Sequence, residues 1–200
     1  ETRISNYLIL ITLILCLACI RSDESYNTEK SKLDSITEIV DSLNLYRDPQ
    51  RSLIKISKLA DSTFNNKEKD IIGYLFLKKA ECFNQLENSD STAVYANKGL
   101  VIARELQNAK LEAEAYKIIG HFYASVNDYI SANDYYLKAN TIVSKTNDPR
   151  STAIILNSIG NVYCNLGDFD KSIQYLTRAL CKFDSLSDEY RTALVLLNLT

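Results

Sequence analysis

The chain has 200 residues, a net charge of −2 with both signs interspersed, and only two prolines and five glycines. That balance excludes a globally basic, nucleic-acid-binding domain and leaves little room for long disordered linkers. No sustained alternation of apolar and polar residues stands beside the helical periodicity, so the chain reads as all-α.

The first predicted element is apolar. Residues 7 to 20, from Tyr7 to Ile20, carry no charge. Fourteen residues fall short of the roughly 20 that a membrane-spanning helix needs. They suit the apolar core of an export signal, with Arg3 in its charged leader. Ala18-Cys19 resembles the cleavage point of bacterial lipoproteins, in which the cysteine is acylated. This reading makes residues 1–19 a signal peptide or lipoprotein signal, with Cys19 as the lipidation site. Residues 20–30, rich in Ser, Asp, Glu, Asn and Lys, become a flexible tether. The expected location is exported and membrane-anchored: an outer membrane lipoprotein or the periplasmic side of the envelope. Plain secretion, an uncleaved anchor and a buried helix stay open as alternatives.

From residue 31 onward the sequence repeats with a step of 40. Tyr163 to Asp168 follows Tyr123 to Asp128, which follows Phe83 to Asn88, and Leu43 to Asp48 stands one step earlier. Tyr95, Tyr135 and Tyr175 form another column, and Lys98, Lys138 and Arg178 a third. A repeat of this length signals stacked supersecondary units, each unable to bury its apolar face alone. The copies span about 33–72, 73–112, 113–152 and 153–192, with a fifth starting at 193–200.

Each copy reads as two helices. In the fourth, Ile155, Leu156, Ile159, Val162, Tyr163 and Leu166 make one buried stripe; Ile173, Leu176, Ala179, Leu180 and Phe183 make the next. Gly167 breaks the pattern between them, and Asp168 caps the second helix. So short a turn makes the helices antiparallel. Gly120 and Gly160, in phase mid-helix, predict close backbone contact, because a helical glycine costs roughly 1 kcal/mol against alanine. The apolar run at Leu194, Leu196, Leu197 and Leu199, and the lack of any methionine, lead to the expectation that further repeats or another domain follow.

Leu156, Ile159-Gly160, Tyr163, Gly167-Asp168-Phe169, Ser172, Tyr175-Leu176 and Ala179-Leu180 resemble the tetratricopeptide repeat signature. Ala113, Tyr116, Ile119-Gly120, Tyr123, Asp128-Tyr129, Ala132, Tyr136 and Ala139 match it as well. The resemblance implies a right-handed superhelical solenoid of antiparallel helix pairs. It departs from the family in its step, 40 residues against a usual value of about 34. Helices longer by about a turn and a half per pair account for the difference.

Chemistry is sparse. The single histidine, His121, has no nucleophile or orienting partner at workable spacing, and no zinc, phosphate-loop or nucleophile-elbow motif occurs. No catalytic, cofactor-binding or metal-binding residue is expected. Cys82, Cys164 and Cys181 are read as buried free thiols, with pairing left open.

The resemblance also implies which side chains line a groove: Tyr74, Leu77, Glu81, Asn84 and Gln85, then Glu114, Lys117, His121, Ala124 and Ser125. The fourth copy supplies Ile154, Asn157, Asn161, Cys164 and Asn165. Amides donate and accept at once, so Asn157, Asn161 and Asn165 suit an extended peptide backbone. With Lys117 and His121 they form the candidate peptide-binding groove. The expected function is a non-enzymatic, membrane-tethered protein- or peptide-interaction scaffold. The alternative is an extracytoplasmic sensor region of a larger bacterial signalling protein, either a histidine kinase or a membrane-bound transcriptional regulator.

Overall fold

The computed structural model describes residues 32–43, 45–63, 68–146 and 148–199. The signal at 1–19, its Cys19 and the tether at 20–30 lie outside these. The chain divides into two compact units, Glu1–Leu43 and Asn44–Thr200. In the first, helix α1 covers 32–41 and buries Ile36 and Val40.

The second unit is built from eight described helices: α2 (Pro49–Thr63), α3 (Lys69–Gln85), α4 (Ser89–Glu105), α5 (Ala109–Ser125), α6 (Tyr129–Val143), α7 (Pro149–Asn165), α8 (Phe169–Ser185) and α9 (Glu189–Asn198). Each begins 20 residues after the one before it. The 40-residue repeat is therefore two half-repeats of equal length. Consecutive helices pack on one another throughout, as a solenoid of antiparallel pairs requires. Among the described residues there is no strand.

The connections explain the regularity. Leu86–Asn88, Leu106–Asn108, Val126–Asp128, Leu166–Asp168 and Leu186–Asp188 share one geometry, with the middle residue at positive φ in every case. The N–H of the third residue bonds back five residues, as Asp168 N to Tyr163 O at 2.9 Å, and the middle N–H bonds back to the penultimate helical residue, as Gly167 N to Cys164 O. This closure satisfies the orphan carbonyls of the finished helix. The third residue is then Asn or Asp, whose side chain accepts from the N–H three residues on and opens the next helix. One three-residue device thus ends one helix and starts its antiparallel partner.

Packing follows the expected columns with some corrections. Ile155, Leu156, Ile159 and Val162 are buried, and so are Leu176, Ala179 and Phe183. Leu166 and Ile173 are exposed instead. Leu166 is the C-cap of α7, beyond the buried stripe, and Ile173 lies one residue off the seam of α8, where Ser172 is buried. Cys82 is buried, but Cys164 and Cys181 are exposed free thiols. Burial pushes the Cys82 thiol up to about 12, so it stays protonated.

The glycines mark close approach. A Cβ on Gly160 would stand 2.7 Å from Leu176 Cδ2 and 3.2 Å from the Leu176 backbone nitrogen. One on Gly120 would stand 2.5 Å from the Tyr136 ring. The missing side chains let α7 seat against α8 and α5 against α6. One core cluster runs from Leu77 through Leu100, Ile118 and Tyr136 to Ile159; a second joins Leu156, Leu176, Phe183 and Val195. Each fully buried aliphatic side chain contributes about 1.5–3 kcal/mol against exposure.

Candidate functional site

Polar side chains of the odd-numbered helices meet along one face of the second unit. At its start lies a closed ring of four charges. Lys78 Nζ is 2.8 Å from Glu81 and 3.4 Å from Glu114; Lys117 Nζ is 2.7 Å from Glu114 and 3.4 Å from Glu81. Two of these pairs lie within α3 and α5, and two cross between them. The side chains are between 12% and 26% exposed, so the pairs are largely shielded from water and salt.

The ring holds three of its members in their charged forms. Burial works against the charges of Lys78, Glu114 and Lys117, yet their neighbours outweigh it. Lys117 and Lys78 hold the Glu114 carboxyl well below the usual range, whereas Glu81 and Glu114 hold Lys78 well above its ordinary value. Lys117 is raised in the same way. Helices α3 and α5 also adjoin directly, although α4 lies between them in sequence.

His121 lies four residues beyond Lys117 on the next turn of α5. It is half-buried and edge-on to the Tyr136 ring, with centroids 5.5 Å apart. Burial, aided by the Lys117 charge, lowers its pKa to about 4. The imidazole is therefore neutral at physiological pH and serves as a hydrogen-bonding rather than a charged group.

The asparagines occupy successive turns of α7. Asn157 accepts from Asn198 Nδ2 of α9 at 3.3 Å. Asn165 spends an amide N–H on Asn161 O of its own helix at 2.8 Å. The half-buried side-chain amide of Asn161 makes no hydrogen bond among the described residues. Polar contacts thus tie α3 to α5 and α7 to α9, and among the described residues no side-chain hydrogen bond or ion pair joins α5 to α7. His121 borders that interval on one side, Asn157 and Asn161 on the other.

One expectation for the groove needs correction. Leu77, expected to face a ligand, is fully buried, because Gly99 leaves the space its side chain fills. Lys117, expected as a ligand contact, is engaged in the charge ring. The residue missed from sequence is Lys78. Its signal was the reversed order of two i,i+3 pairs, Lys78/Glu81 and Glu114/Lys117, on successive odd helices. Among the described residues no group of three or more His, Cys, Asp or Glu side chains is placed to hold a metal ion. No described helix is long and apolar enough to cross a membrane.

The fold is that of tetratricopeptide-like helical repeat proteins. No family model matches the chain. A stretch of 78 residues is 31% identical to response regulator aspartate phosphatase J of Bacillus subtilis (strain 168). That match spans 39% of this chain and 21% of the relative. Among solved structures, a Rap protein complexed with competence and sporulation factor superimposes with a TM-score of 0.70 at 20% identity, covering 80% of this chain and 44% of that one. A signal transduction ATPase with a tetratricopeptide repeat sensor from Pyrococcus horikoshii gives 0.65 at 19% identity, over 74% and 23%. BtubC from P. vanneervenii gives 0.61 at 21% identity, over 78% and 65%.

Proposed function

We propose that the odd-helix face of the second unit binds an extended peptide or protein segment, and that this chain is an interaction scaffold rather than an enzyme. The observation that carries the reading is the uncommitted amide of Asn161, half-buried between two interlocked helix pairs. The amide is reached by solvent and makes no bond within the described fold, so its donors and acceptor are open to an incoming peptide backbone. Asn157 and Asn165 extend the contact along α7, and neutral His121 offers a donor and an acceptor from α5. Lys117 acts from within the charge ring, by holding α5 in place. The solved relative bound to competence and sporulation factor supports a peptide as occupant.

The test is selection from a random peptide library, followed by titration of an enriched peptide. Asn157→Ala/Asn161→Ala should weaken its binding roughly tenfold or more while the helical content is unchanged. Equal affinity in the double variant would remove the groove assignment.

A sensor region within a larger signalling protein is the second reading, favoured by the tetratricopeptide repeat sensor of the Pyrococcus horikoshii protein. Membrane tethering through acylated Cys19 belongs to the first reading, the scaffold. Metabolic labelling with palmitate should mark the protein and not its Cys19→Ala variant; an unlabelled wild type would remove the tether.

A further inference from the structure

The even-numbered helices carry a feature that the groove does not use. Tyr95, Tyr135 and Tyr175 stack on Phe83, Tyr123 and Tyr163 of the preceding helices, with centroids 5.4, 5.3 and 5.5 Å apart. Over the same tyrosine rings lie the cations of Lys98, Lys138 and Arg178, at 5.2, 4.5 and 5.4 Å. All three cations are exposed, and none enters an ion pair among the described residues. In α2 the register continues with exposed Lys58.

The surroundings leave this row positive. One turn before the four cations stand Ile54, Val94, Asp134 and Gln174; one turn after stand Ser62, Ile102, Ile142 and Lys182. Asp61, three residues beyond Lys58, is the other nearby carboxylate. Val94 and Val101, on either side of Lys98, are 50% and 55% exposed. A cation resting on an aromatic ring has already lost part of its side-chain freedom, so less is lost when an anion arrives.

We propose that this face of α4, α6 and α8 is a second recognition surface, for an acidic polypeptide segment carrying some apolar side chains. Carboxylates would pair with Lys98, Lys138 and Arg178, and apolar residues would cover Val94 and Val101. Single-stranded nucleic acid fits less well. Base stacking needs a free aromatic face, whereas here each tyrosine has a ring on one side and a cation over it.

The test is fluorescence anisotropy of labelled poly-L-glutamate of about 20 residues, at low and moderate salt, since surface charge pairs weaken as salt rises. Wild-type protein should bind, more weakly as salt rises. Lys98→Gln/Lys138→Gln/Arg178→Gln should weaken binding roughly tenfold. Lys110→Gln/Lys145→Gln/Arg150→Gln removes the same charge away from the tyrosine rings and should bind as wild type. Equal weakening in both triple variants would reduce the effect to net charge and overturn the proposal. So would no binding by the wild type, or tighter binding to labelled polyuridylate. The groove variant Asn157→Ala/Asn161→Ala should bind polyglutamate normally, which separates this surface from the first.

Discussion

The ammonium of Lys78 stands 3.4 Å from the carboxylate of Glu114, 36 residues further along the chain. That contact and its counterpart from Lys117 to Glu81 close a ring that joins α3 to α5. Two positive and two negative charges cancel, so the ring holds helices together without giving the face a net charge.

Removing one member should cost far more than removing all four. Glu114→Gln leaves two ammonium groups sharing Glu81, at about 3 kcal/mol, the low end for breaking a buried pair. Replacing the set with Lys78→Met, Glu81→Leu, Glu114→Leu and Lys117→Met should stay within about 2 kcal/mol of wild type. Urea midpoints at neutral pH distinguish the two. A harmless Glu114→Gln would show that the ring is only a surface ornament.

Acid should act first through His121. Its folded pKa of about 4 lies below the unfolded value of about 6.5. The unfolded chain therefore takes up a proton between those values while the folded one does not. Stability from this group is complete above pH 6.5 and falls as pH drops toward 4, by an amount on the order of 3 kcal/mol. His121→Gln should flatten the urea midpoint across that window. Glu114, whose carboxyl is depressed, adds a loss at lower pH still, as the pH falls below the unfolded carboxylate value.

The turns make a prediction of opposite sign. Glu87, Gln107 and Ser187 adopt positive φ without being glycine. Left-handed backbone costs an ordinary residue about 1–2 kcal/mol. Part of that cost is offset by the extra freedom glycine has when unfolded. Gln107→Gly should therefore stabilise by roughly 0.5–1 kcal/mol, and Glu87→Gly should add to it independently. Gly167→Ala should destabilise. Thermal midpoints check all three.

Much of the fold was legible because three-residue turns recur. Gly167-Asp168 marks both the break and the cap, and Asn88 and Asp128 stand in phase with Asp168 in the other copies. The half-repeat of 20 residues was harder to see. It rests on Asn108, Asp148 and Asp188 capping the odd helices, where the middle turn residue gives no glycine signal. The tyrosine and lysine columns were visible as columns, but nothing in one sequence says that a lysine lies over a tyrosine ring. The groove was read from positions borrowed from shorter repeats. Odd helices α5 and α7 begin at Ala109 and Pro149, ahead of the copy starts at Ala113 and Ala153. Lys78 escaped notice there, and Leu77 was placed on the wrong side of the backbone.

Helix seating by glycine gives a further check. Gly160→Ala gains roughly 1 kcal/mol of helix propensity when exposed. Here its methyl would press on the Leu176 side chain and backbone, and overpacking costs typically 1–3 kcal/mol. Net destabilisation is expected, read as a lower urea midpoint. A stabilised variant would mean that α7 and α8 can separate freely.

The most direct measurement is the side-chain amide region of a ¹H–¹⁵N NMR spectrum during titration with a library-selected peptide. The Asn157 and Asn161 side-chain resonances should shift together and saturate with the same affinity as the bulk titration. Saturable shifts confined to the even helices, with both asparagine amides unmoved, would contradict the account.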